Sequence, residues 1–224
     1  AEPAPTDHSL MQLAGAGAAP HVIASDFWNP YDFAKAGDRW LVVDAGQNAL
    51  VAVDATGATS LVYVFPRLKR EPVEMSDLSP TEFAEGAEPY EVDAVPTGLA
   101  ISDNRAWIAL FGGFPFTPKG GAVVSLALEG EGAVPRTEIA GLDTPIDVDF
   151  TNDGNMLILE MGTFDMAAGF APGTGRLSIV DLSVGKPEPL LTGLDQPTCV
   201  LVTAGGDIYV SSLSGHVYRL KRAG

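Results

Sequence analysis

Disulfide, metal and catalytic chemistry are thinly supplied in this chain. A single cysteine, Cys199, rules out an internal disulfide, and its apolar surroundings in the sequence suggest a small buried hydrophobe. The three histidines, His8, His21 and His216, lack the Cys/His spacing of a zinc site. His21 and His216 read as a surface pair. No Gly-x-Ser-x-Gly elbow is present, and segment 112–121 lacks the Lys-Ser/Thr ending of a phosphate loop. Basic residues are scarce: 13 Lys and Arg stand against 29 Asp and Glu, a formal net charge of −16. Nucleic acid is therefore not an expected partner, because phosphates need a basic surface. No apolar run approaches the roughly 18–20 residues that cross a bilayer, so no transmembrane segment is expected.

What is abundant points to many short strands. Hydrophobic residues make up 46% of the 224, enough for one good core, with 25 Gly and 17 Pro to punctuate it. The acidic excess keeps such a chain soluble and also supplies a field that steers a basic partner. The chain opens Ala1-Glu2-Pro3-Ala4-Pro5 without Met, as after removal of a signal peptide, and a periplasmic or extracellular location is the expectation.

One phrase recurs four times. It reads Asn29-Pro30-Tyr31-Asp32-Phe33, Val95-Pro96-Thr97-Gly98-Leu99, Thr144-Pro145-Ile146-Asp147-Val148 and Gln196-Pro197-Thr198-Cys199-Val200. Strand-like segments separated by turn residues follow each copy. A repeat near 50 residues with all-β texture is the signature of propeller blades. The fold expected is an all-β, four-bladed β-propeller over 20–224, preceded by a mobile arm at 1–19; part of a six-bladed ring is the alternative. The first three repeats offer four strands each. The fourth offers only 199–203, 208–211 and 217–220. Segment 21–25 has the character of an outer strand and is expected to pair near 217–220 and close the ring.

Three segments break the period. Residues 66–95 form an acidic insertion with Glu71, Glu74, Asp77, Glu82, Glu85, Glu88, Glu91 and Asp93. Loops 112–120 and 162–174 sit in blades two and three, both between second and third strands. They should emerge together on one face, carrying Phe114, Phe116, Phe164, Met166 and Phe170. Aromatics in loops either pack down on the propeller or form a partner-binding patch. Phe114, Phe116, Phe164 and Phe170 are the candidate partner-binding residues.

Several phrases resemble the ScyD/ScyE family, a branch of the NHL and SMP-30-like propeller group. They are Asn29-Pro30-Tyr31-Asp32-Phe33, Val42-Val43-Asp44-Ala45-Gly46-Gln47-Asn48, Val64-Phe65-Pro66-Arg67, Val95-Pro96-Thr97-Gly98 and Gly205-Gly206-Asp207-Ile208-Tyr209-Val210-Ser211. The most specific is Gly113-Phe114-Pro115-Phe116 followed by Gly120-Gly121-Ala122. The resemblance implies a fold and fixes no reaction. Members are typically longer, with further blades before the Asn-Pro-Tyr segment.

Aligning the repeats puts Asp32, Gly98, Asp147 and Cys199 at one inner-strand position, and Asp44, Leu110, Glu160 and Ser212 at the end of the second strand. Carboxylates thus fall in blades one and three. Asp32 and Asp147 facing each other across the channel are the candidate metal ligands, with Ca²⁺ the cofactor they would suit. The competing reading makes these acids caps for backbone N–H groups. Related metal-dependent lactonases hold an ion with Glu, Asn and Asp, and Asn29 matches part of that set. The function expected is a non-catalytic exported scaffold that binds protein, an accessory subunit of a larger complex. A lactonase-like hydrolase is the alternative.

Overall fold

The computed structural model describes residues 8–70, 90–129, 134–165 and 167–221. Most of the acidic insertion, Glu71 to Glu88, lies outside them, as does Met166. Among the described residues there are strands and no helix.

Four sheets form the four blades of a β-propeller. Blade one is β3 (Pro30–Ala36), β4 (Arg39–Asp44), β5 (Ala49–Val53) and β6 (Thr59–Val64), preceded by the short strands β1 (Leu10–Gln12) and β2 (His21–Ala24). A two-stranded ribbon, β7 (Leu68–Arg70) and β8 (Tyr90–Val92), brackets the acidic insertion. Blade two is β9 (Pro96–Ser102), β10 (Arg105–Leu110), β11 (Gly121–Ala127) and β12 (Arg136–Leu142). Blade three begins with β13 (Pro145–Phe150) and β14 (Met156–Glu160). After a small hairpin, β15 (Phe164–Asp165) and β16 (Gly169–Phe170), it ends with β17 (Gly175–Asp181) and β18 (Lys186–Leu194). Blade four has three strands, β19 (Pro197–Val202), β20 (Ile208–Ser212) and β21 (Val217–Leu220).

Local chemistry makes these meanders. The β9–β10 turn places Asp103 and Asn104 at φ 48° and 56°, the pair of positive values that a two-residue hairpin turn of right-handed twist requires. Central strands are apolar along their length: every residue of β5 and β14 is buried, because a blade is covered on both faces. The inner strands lie side by side, β3 against β9, β9 against β13 and β13 against β19. A separate apolar core fills each joint. Among the described residues no comparable packing joins blade four to blade one.

The N-terminal strand does not close the ring as expected. β2 pairs antiparallel with β1, and that hairpin lies on the outward face of blade one. Leu10, Ala24 and Phe27 cover Val42, Val51 and Val53 there. The physical reason is that β4 and β5 are apolar on both faces, and the face without a neighbouring blade must still leave water. Within the expected arm at 1–19, Leu10–Gln12 is one strand of this cover.

Candidate functional site

The recurrent proline phrase builds one end of the row of inner strands. In each blade the N–H just after the second strand donates to the carbonyl of the residue before proline. The pairs are Ala45 to Asn29, Phe111 to Val95, Met161 to Thr144 and Leu213 to Gln196, at 2.9–3.0 Å. Val95, Thr144 and Gln196 take left-handed φ of 52°, 51° and 45° to present that carbonyl. Each inner strand then shifts register just after its proline, between Pro30 and Asp32, Pro145 and Asp147, and Pro197 and Cys199. The bulge aims the next residue at the neighbouring blade.

Asp32 and Asp147 use this aim to bind backbone. Asp32 Oδ2 accepts from the N–H of Leu99 in blade two at 2.8 Å, and Oδ1 from Phe33 at 2.7 Å. Asp147 Oδ2 accepts from Val200 of blade four at 2.7 Å, and Oδ1 from Val148 at 2.8 Å. Asp149, two residues on and on the same face, repeats the device with Val202 at 2.7 Å. Blade two carries Gly98 at the equivalent place, because the Asp147 backbone fills the space: a Cβ there would stand 2.5 Å from the Asp147 Cα. The sequence identified the two acids. It missed Asp149, whose signal was the i, i+2 alternation of one strand face.

Among the described residues, no group of three or more His, Cys, Asp or Glu is placed to hold a metal ion. Ca²⁺ takes six to eight oxygens. Asp32 and Asp147 offer two carboxylates whose four oxygens already accept amide bonds, so the donor set does not fit the ion expected from the sequence. The capping arrangement is the one the geometry displays.

Burial makes these acids titrate late. Desolvation, with the Asp32 charge second, pushes Asp147 from 3.8 up to about 7, despite its amide bonds. Desolvation takes Asp32 to about 6. Desolvation and the same carboxylates raise Tyr31 to about 12. Cys199 is exposed as a residue, which corrects its expected burial. Its thiol rises to about 12, through desolvation of the sulfur first and the Asp147 charge next, so it is a poor nucleophile.

A raised carboxyl pKa has a definite sign. The folded chain holds protons that the unfolded chain releases, so this stability is full below about pH 4 and is lost as pH rises through 6 to 7. The propeller is expected to gain about 2 kcal/mol from Asp147 between pH 8 and 5.5, the reverse of ordinary acid denaturation. Asp44, whose pKa is lowered by amide bonds that outweigh its desolvation, loses its contribution only below the usual carboxylate range. Urea unfolding at the two pH values checks this. Asp147→Asn should flatten the slope, and an unchanged slope in that variant would exclude Asp147 as its source.

The second-strand acids are anchors as well. Asp44 accepts from the N–H groups of Trp28, Asn29, Gly46 and Gln47, and from Gln47 Nε2 at 2.7 Å. Glu160, 1% exposed, accepts from Asp143 N–H at 2.7 Å and pairs bidentately with Arg176 at 2.5 and 2.7 Å. Arg176 was not singled out in the sequence, although it follows Gly175 at the start of the strand paired with Glu160.

The two long loops meet at this same end of the blades. Phe116 sits 4.9 Å from Phe164, 5.5 Å from both Phe111 and Phe170, and 5.9 Å from Phe114 by ring centroid, nearly all edge to face. Phe164 and Phe170 face each other across β15 and β16 at 5.1 Å. Phe116 and Phe170 pack onto the joint between blades three and four and are half-buried, as is Phe164. Phe114, also edge on to Phe164 at 6.3 Å, is the most exposed ring of the group at 46%. The rings thus divide between packing and presentation.

No family model and no curated protein sequence matches the chain. Solved structures do. A chain of a nidogen/laminin complex aligns at TM-score 0.63 and 13% identity, covering 92% of this chain and 64% of that one. The calcium-binding protein regucalcin of Agrobacterium tumefaciens aligns at 0.57 and 16%, covering 95% and 66%. Virginiamycin B lyase of Staphylococcus aureus aligns at 0.50 and 12%, covering 86% and 55%. These are β-propellers, the last two of the NHL and SMP-30-like kind. The chain spans about two thirds or less of the length of each.

Proposed function

We propose that this chain is a non-catalytic binding module that holds a protein partner on the face where the two long loops meet. The observation that carries this reading is the cluster of five phenylalanines at that face. Its rings brace one another, and Phe114, edge on to Phe116 and Phe164, is the most exposed of them. A rigid aromatic anchor on a braced base suits the centre of a protein interface. The net charge of −16 favours a basic partner and speeds its approach.

A fold that serves both a nidogen/laminin complex and a lyase leaves the choice to the site. A hydrolase needs an open metal position and a free base. The acids it would use here are engaged with the amides of neighbouring blades. The ScyD/ScyE assignment belongs to the same proposal, and rests on the Asn-Pro-Tyr-Asp-Phe and Gly-Phe-Pro-Phe phrases quoted above.

Purification from the native source at low salt, with Phe114→Ser beside the natural sequence, tests the reading. Phe114→Ser should cut the amount of one copurifying protein at least fivefold and lower the melting temperature less than Phe116→Ser does. Phe116→Ser should lower both, because that ring is part of the core. An unchanged yield with Phe114→Ser would move the interface elsewhere.

A further inference from the structure

A cavity of about 540 Å³ lies between the N-terminal hairpin and the inner strand of blade one. Leu10, Leu13 and Pro20 of the hairpin form one wall, and Tyr31, Asp32 and Phe33 of β3 form the other. The volume is in the range that takes a small organic molecule. Its apolar groups are left uncovered: Leu13, Tyr31 and Phe33 are 65%, 44% and 52% exposed. Tyr31 and Phe33 stand two residues apart on one strand, so both rings share a face. Phe33 is fixed edge to face against Trp40 at 5.7 Å. Lys35, the next residue on that face, lies over the Trp40 ring at 5.6 Å.

The polar side of the cavity is negative. Asp32 belongs to a row of inner-strand acids with Asp147 and Asp149. After desolvation, the Asp32 charge raises Asp147, and the Asp147 and Asp32 charges raise the Tyr31 phenol, so these groups share one field. Among the described residues the ion pairs all lie elsewhere, and no Lys, Arg or His is paired with the three acids. A metal ion cannot answer this field directly, because the oxygens of Asp32 and Asp147 already accept amide N–H groups. A diffuse organic cation needs no lone pair from them. Charge and aromatic faces are enough to hold it.

We propose that this cavity binds an organic cation with an apolar body, a quaternary ammonium or alkylated amine carried on a hydrocarbon or aromatic group. Its head lies toward Tyr31 and Asp32, and its body takes the side formed by Leu10, Leu13 and Phe33. None of these residues belongs to loops 112–120 or 162–174, so the site stands independently of the function proposed above.

The probe is trimethyl(3-phenylpropyl)ammonium, with neutral 4-phenylbutan-1-ol and anionic 4-phenylbutyrate as matched controls. Calorimetric titration into the full chain at pH 8 and constant ionic strength should give saturable binding of the cation. The alcohol should bind about tenfold more weakly, the worth of a charge held against a desolvated ring, and the carboxylate not measurably. Asp32→Asn removes the charge and keeps an oxygen for the Leu99 N–H. It should cut cation affinity about fivefold or more and leave alcohol affinity within about twofold, a split that loss of structure would not produce. Phe33→Ser should weaken both ligands with the fold retained by circular dichroism. Absence of saturable cation binding, alcohol binding as tight as the cation, or unchanged cation affinity in either variant overturns the proposal. So does displacement of the cation by an equimolar amount of Ca²⁺, which would mark a metal site. If Asp32→Asn does not fold, the ranking of the three ligands on the natural sequence and the Phe33→Ser result decide.

Discussion

Arg176→Leu is expected to destabilise the propeller by about 3–5 kcal/mol, the cost of leaving a buried charge without its partner. Glu160 is 1% exposed and spends one oxygen on the Asp143 N–H as well as on the guanidinium. Hydrogen bonding to Glu160, ahead of all other influences, holds the Arg176 pKa above its usual value. Removing the arginine strands the carboxylate among Leu159, Leu177 and the start of blade three. Arg176→Lys should fall between, since an ammonium cannot match the two-point geometry. Urea unfolding measures both. A loss below about 1 kcal/mol for Arg176→Leu would mean that Glu160 finds water or a proton instead.

Gly98→Val is expected to cost about 3 kcal/mol or more, at the top of the range for overpacking a close contact. The added Cβ would meet the Asp147 Cα at 2.5 Å and the Asp147 carbonyl carbon at 2.9 Å, and these are backbone atoms that no rotamer can move. Blades two and three would have to part, taking with them the Thr97 Oγ1 to Pro145 carbonyl bond at 3.2 Å and the packing of Trp107 against Phe150. Near-ultraviolet circular dichroism should report the lost tryptophan environment alongside the fall in urea midpoint. A variant as stable as the natural sequence would show that the joint yields cheaply, and that glycine is not what lets these inner strands approach.

How much of this was legible in the sequence depends on range. The four proline phrases announced the blades, because each encodes a local event: a proline and a bulge, preceded in blades two to four by a left-handed residue. Asp32 and Asp147 were visible by alignment of those phrases. That their oxygens reach Leu99 and Val200 was not, since the acceptor and donor lie 67 and 53 positions apart. The place of segment 21–24 was misjudged for a related reason. Its strand character is local, but the edge or face it covers is decided by what else lacks a partner. The signal available was Ala49–Val53, apolar at every position, which demands cover on both sides of blade one. Loop phenylalanines were easy to see, and their division into bracing rings and one presented ring required coordinates.

The hairpin of Leu10–Gln12 and His21–Ala24 also governs how large an assembly can grow. A row of blades has two unlike ends, and a head-to-tail contact between them, repeated without closure, makes a fibre. Growth of that kind needs a bare acceptor and a bare donor on the same molecule. Here the outward face of blade one is already covered by the chain's own Leu10, Ala24 and Phe27. A contact of that kind through the outward face of blade one would first have to displace the hairpin from Leu10 to Ala24.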